Sequence, residues 1–168
     1  MIVTVAILIW LICVTVNDLL DYKISNRLIL LGMIFGFGYR FYQEGIMAIV
    51  FFPIDFILPI LLLFLLFSFR VLGAGDIKVF AVLSGIYGLQ ITLVLIILSF
   101  LYSSILVIIQ FLHNNSLISK FLKTISIPLI RVRIFFYGND IISNFGKQGS
   151  LIHFSLAITI AYISILLH

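Results

Sequence analysis

Charged side chains are scarce in this chain. Asp, Glu, Lys and Arg together make up 10% of its 168 residues, against about a quarter in an ordinary soluble domain. So low a charge density, with 64% apolar residues and a mean hydropathy of +1.35, excludes a soluble enzyme, a disordered chain and a nucleic-acid-binding module. A domain of this size leaves much of its surface wet and could not hide so much apolar area. There is one cysteine, Cys13. No intrachain disulfide and no paired-cysteine zinc site can form, and in its apolar run an inert buried thiol is expected. Three prolines exclude a collagen-like chain. What is present in quantity is long apolar runs, so the class is a small polytopic membrane protein in one domain, residues 1–168.

Six apolar spans are expected: residues 2–16 extending toward Leu20, then 28–42, 46–69, 71–87, 89–112 and 151–167. The runs are continuously apolar without period-two alternation, which predicts an all-α fold of about six transmembrane helices and not a barrel. No Lys or Arg precedes the first run, and no small-x-small site follows before Asp18. It is expected to be a retained span and not a signal peptide.

Nine of the ten basic residues fall in alternate breaks of this pattern: Lys23, Arg27, Arg70, Lys78, Lys120, Lys123, Arg131, Arg133 and Lys147. Arg40 stands alone on the other side. Surplus Lys and Arg collect in cytoplasmic loops, which predicts both termini outside and the breaks near Asp18 and Arg70, with the basic loop 113–150, in the cytoplasm. Within that loop the alternating basic and apolar residues of 126–137 suit an interfacial segment on anionic lipid. A purely topological role for these charges is the simpler alternative.

Only six acids exist: Asp18, Asp21, Glu44, Asp55, Asp76 and Asp140. An aspartate within a span costs roughly 2.5–3.5 kcal/mol on insertion scales and asks for a reason. Asp76 follows Gly73-Ala74-Gly75, where a glycine break could let an extended chain lie against the backbone beside the acid. Glycines at this spacing also serve close helix packing. Asp18 and Asp76 fall at similar depth near the same face in the six-span topology. Two carboxyl groups at close range in a low-dielectric site do not readily both ionise, so one keeps its proton while the other acts as base. Such a pair can activate water against an amide. The alternative is structural, with Asp18 as a cap or paired with Lys23, and Asp76 paired with Lys78. Asp21, one turn from Asp18, could take its place. Asp55 lies toward the other side, where interior pairing or an edge position is expected. His113, His153 and His168 show no metal-ligand spacing, so neither a metal nor another cofactor is expected.

The segment Gly73-Ala74-Gly75-Asp76-Ile77-Lys78 resembles the GxGD signature of the type IV prepilin peptidases. Asp18, followed by Ile24-Ser25-Asn26, resembles their first motif, an aspartate and then Ile-Pro-Asn, with Ser25 in place of the proline. Residues 149–162 are similar to the closing helix of that family. The resemblance implies a membrane aspartic endopeptidase that removes short basic leaders from prepilins or pseudopilins at the cytoplasmic membrane. It implies Asp18 and Asp76 as the catalytic pair; the bare backbone at Gly73 and Gly75 is the expected place where substrate meets the chain, and Lys78, with Asn26, is a candidate modulator, the alternative for Lys78 being to snorkel to the interface. The chain is similar to the short form of the family, found with tight-adherence pili, which lacks the N-terminal methylase region. Methyl transfer is therefore not assigned. Two other functions fit the same residues: a non-catalytic carrier or pilus-assembly subunit whose acids line a polar path, and a peptidase of the archaeal preflagellin type.

Overall fold

A computed structural model describes residues 2–21, 23–69, 71–113 and 154–167 of the chain. All regular structure among them is helical: α1 (Ile2–Asp21), α2 (Asn26–Glu44), a 3-10 turn (Gly45–Met47), α3 (Ala48–Ser68), α4 (Ala74–Tyr87), α5 (Leu89–His113) and α6 (Phe154–Leu166). Three stretches are long and apolar enough to cross a bilayer: Val3–Asp21, Asn26–Ser68 (which holds α2, the turn and α3) and Leu89–Ile109. Phe154–Leu166 is a shorter apolar helix. The protein is an all-α polytopic membrane protein. Its contacts divide it into two compact units, 1–102 with 153–168, and 103–152. Of the second, only the end of α5 is among the described residues. The expected basic loop 113–150 lies outside them except for His113, as do Arg70 and Asp140.

The helices start and stop for local reasons. Ser25 is the N-cap of α2, its hydroxyl accepting from the Arg27 N–H at 3.3 Å, which satisfies one of the donors a helix start leaves open. The turn between α4 and α5 is made at Gly88, whose φ of 82° few other residues adopt. The fourth span is shorter than hydropathy suggests. Val71 and Leu72 form a bend, Gly73 is extended at φ −76° and ψ 149°, and the helix begins at Ala74. Its 14 residues rise only about 21 Å.

That short helix sits at the centre of the first unit. Every side chain from Val79 to Ile86 is buried, as expected of a helix surrounded by others. α2 and α3 pack against it, while α1 packs against α2 and α6. Rings of Phe80 and Phe154, and of Tyr87 and Tyr162, bring α6 to α4 as well. Close approach of α2 and α4 depends on a missing side chain: a Cβ on Gly36 would stand 2.6 Å from Ile86 Cγ1, closer than van der Waals contact permits. The outer faces are apolar and exposed, as at Ile9, Ile12 and Val16 on α1 or Leu61, Leu62 and Leu65 on α3, where lipid takes the place of a core. Cys13 belongs to this face and is exposed, in contrast to the expected burial. In a bilayer an apolar thiol need not be inside to be shielded from water.

Candidate active site

Four helix ends meet on one side of the first unit: the C-terminus of α1 and the N-termini of α2, α4 and α6. Asp18 is in the last turn of α1 and Asp76 in the first turn of α4. An acid near a helix C-terminus opposes the helix dipole, so Asp18 gains nothing from its own helix and must be held from elsewhere. It is held from α6, where the buried Ser155 hydroxyl donates to Asp18 Oδ2 at 2.6 Å. Asp76 suits its own helix. It is the third residue after the N-cap and reaches back to the Gly73 N–H, one half of a capping box. Asp18 and Asp76 are close enough to interact electrostatically. Both are half-buried, and the helix N-termini of α4 and α6 present their positive ends to the pair.

Asp21 is placed differently. It is exposed and accepts from Asn17 Nδ2 at 3.0 Å, so of the two acids on α1 it is Asp18 that stands beside Asp76. Asp76 lies in the first turn of its helix, because α4 starts three residues after the expected start of the span at residue 71. Lys78 does not pair with Asp76. Its Nζ donates to Asn26 Oδ1 at 2.9 Å, tying the first turn of α4 to the first residue of α2.

The glycines have separate tasks. Gly73 is exposed and extended, and a Cβ there would stand 2.9 Å from Asp76 Oδ2. Its bareness leaves room for the carboxyl group to fold back onto the Gly73 N–H. Gly75 is helical and half-buried, and a Cβ there would lie 3.0 Å from Ile24 Cβ. The two aspartate-bearing segments therefore touch directly, at Gly75 against Ile24 and at Lys78 against Asn26.

Sequence reasoning missed Ser155 and Asn17. Asn17 Oδ1 accepts the Ser25 N–H at 2.8 Å and fixes the turn that leads from Asp18 to Asn26. A local signal existed, since Asn17 adjoins the acid. Ser155 is 137 positions from Asp18 and gave none. At the opposite end of the helices, Arg40 Nη1 donates to Asp55 Oδ2 at 2.6 Å and to the Gly85 carbonyl at 2.9 Å, and Arg40 Nε donates to Glu44 at 3.1 Å. Asp55 is thus paired in the interior. Among the described residues no group of three or more His, Cys, Asp or Glu could hold a metal ion.

Residues 5–111 match the model of the type IV leader peptidase family. That span holds Asp18, Asn26, Gly73, Gly75, Asp76 and Lys78 and stops before α6. No curated protein and no solved structure matches the chain.

Proposed function

Because the chain belongs to the type IV leader peptidase family, we propose that it is a membrane-embedded aspartic endopeptidase, cleaving the basic leader of type IV prepilins or pseudopilins at the cytoplasmic face. The observation that carries this reading is the meeting of Asp18 and Asp76, from the end of α1 and the start of α4, within electrostatic range. Two carboxyl groups so placed can divide the work of amide hydrolysis. The ionised one takes a proton from water as the water oxygen attacks the scissile carbonyl carbon. The protonated one gives its proton to the carbonyl oxygen. Collapse of the tetrahedral adduct breaks the C–N bond: the first acid returns the proton it took from water to the departing nitrogen, and the second recovers a proton from a hydroxyl of the adduct as the carboxylic product forms. No metal or other cofactor enters these steps. The extended, exposed backbone at Gly73 gives a substrate strand room to lie beside the acids, while Gly75 holds the second motif against the first.

The charge pattern supports the orientation. Lys23, Arg27 and Lys78 stand at the end of the bundle where the two acids meet, and Arg40, the one basic residue at the other end among the described residues, is matched by Asp55 and Glu44. The acid-bearing end then faces the cytoplasm, both termini face outside, and the loop 113–150 is cytoplasmic. A basic leader held in the cytoplasm, followed by an apolar helix in the bilayer, brings its junction to that depth. The basic loop does not grip a basic leader, since like charges repel; it holds the enzyme on anionic lipid.

The test is a cleavage assay with the purified full chain in anionic lipid vesicles. The substrate carries a Lys- and Arg-rich leader, a glycine at the junction and an apolar helix. Release of the leader at the junction is expected. An intact substrate, under conditions where the chain remains folded, would refute the reading.

A further inference from the structure

We infer that Ser155, on the helix beyond the family-matched span, is a positioning residue that orients the Asp18 carboxyl group for the proposed hydrolysis; the inference rests on the peptidase reading above.

The argument begins with how Ser155 is fixed. It is in the first turn of α6 and is 1% exposed. Its carbonyl oxygen accepts from Thr15 Oγ1 at 3.3 Å and from Thr159 Oγ1 at 3.3 Å. Thr15 lies three residues before Asp18 on α1, and residues three apart share a helix face. One face of α1 therefore contacts Ser155 twice: Thr15 at its carbonyl and Asp18 at its hydroxyl. With the main chain of Ser155 pinned, the direction of its hydroxyl is set by where Asp18 Oδ2 lies, 2.6 Å away. That is the short separation of a charge-assisted O–H···O bond.

A carboxyl group turns freely about its last bond unless something holds one oxygen. Here Ser155 holds one oxygen, Oδ2, and so limits that rotation. The helix packing supports the same role. Phe154, beside Ser155, is wedged between Phe80 of α4 and Phe100 of α5, so α6 is registered against the helix that carries Asp76. The residue that aims one acid is thereby fixed to the scaffold of the other. A catalytic group held by a side chain that is itself locked by packing is what precise chemistry requires.

The experiment compares Ser155→Ala, Ser155→Thr and Asp76→Asn with the wild type in the vesicle assay, measuring kcat and KM separately and the thermal midpoint of each protein. Ser155→Ala is expected to lower kcat about tenfold or more with KM nearly unchanged, because a misaimed group loses transition-state but not ground-state interactions. Ser155→Thr, which keeps the hydroxyl, is expected to regain most of that loss. A Ser155→Ala enzyme with wild-type kcat overturns the inference. So does an equal loss in the Ala and Thr variants with a matching fall in thermal midpoint, which marks Ser155 as a packing residue only. The underlying reading fails separately, when the wild type itself does not cleave or Asp76→Asn cleaves as well as it does.

Discussion

The side-chain oxygen of Asn17 accepts the backbone N–H of Ser25 at 2.8 Å. Ser25 stands where the related motif has a proline, and its φ of −66° is the angle a proline ring imposes. A proline would fix that angle covalently but could not donate to Asn17. This chain holds the same turn by a hydrogen bond and a serine cap. Asn17→Ala is therefore expected to cost about 1 kcal/mol of stability in the wild type. In a Ser25→Pro background, where the donor is gone, it should cost almost nothing. A double-mutant cycle on thermal midpoints in detergent checks this, and equal costs in both backgrounds would contradict it.

Gly75 lies against Ile24, where an added Cβ would stand 3.0 Å from Ile24 Cβ. Gly75→Val is expected to push the two motifs apart, at about 1–3 kcal/mol of overpacking, and to impair cleavage more than neutralising Arg131 and Arg133 together. Ile24→Ala opens that space and should restore part of the activity of the Gly75→Val enzyme. Cleavage assays on the single and double variants decide, and no restoration would mean that Gly75 acts through something other than Ile24.

Arg40 and Asp55 join α2 to α3 with side chains only 11% and 17% exposed. Removing one partner leaves a charge with poor solvation. Asp55→Ala is expected to destabilise the protein by roughly 3 kcal/mol while leaving kcat of the folded fraction unchanged, because the pair is at the far end of α4 from Asp76. Denaturation in detergent and active-site-normalised kinetics measure the two effects separately. A large fall in kcat would place Asp55 in the chemistry.

Orientation has its own test. In a Cys13→Ala background, Gln43→Cys should react with an impermeant thiol reagent in intact cells, and Asp140→Cys should react only after the membrane is opened. Labelling of position 140 in intact cells would reverse the topology and remove the argument for a cytoplasmic site.

Among the described residues the order of the helices was legible from hydropathy because a bilayer demands continuous apolar runs. Their ends were less so. Val71 and Leu72 are as apolar as any span residue, yet they lie outside α4, because Gly73 and not hydropathy sets where the hydrogen-bond ladder begins. Asp18 and Asp76 could be singled out because acids are rare in apolar sequence and each stands in a local motif. What they touch could not be read. Ser155 reaches Asp18 from a helix 137 positions away, and Asp55 finds Arg40 on a neighbouring helix 15 positions away. Neither pairing leaves a periodic trace. Nor could the role of the serine at position 25 be read, since the bond from its N–H to Asn17, which holds the turn, leaves no mark in the motif.

The central claim is that Asp18 and Asp76 form one hydrolytic pair, and the most direct measurement is leader cleavage by Asp18→Asn, Asp76→Asn and Asp21→Asn in vesicles, with each protein first shown to be inserted and folded. An amide neither takes up nor supplies the proton at its site, so the first two variants should each lose cleavage by about a hundredfold or more, while Asp21→Asn, whose side chain points to solvent and Asn17, should remain close to wild type. Wild-type cleavage by a folded Asp18→Asn or Asp76→Asn protein would contradict the account.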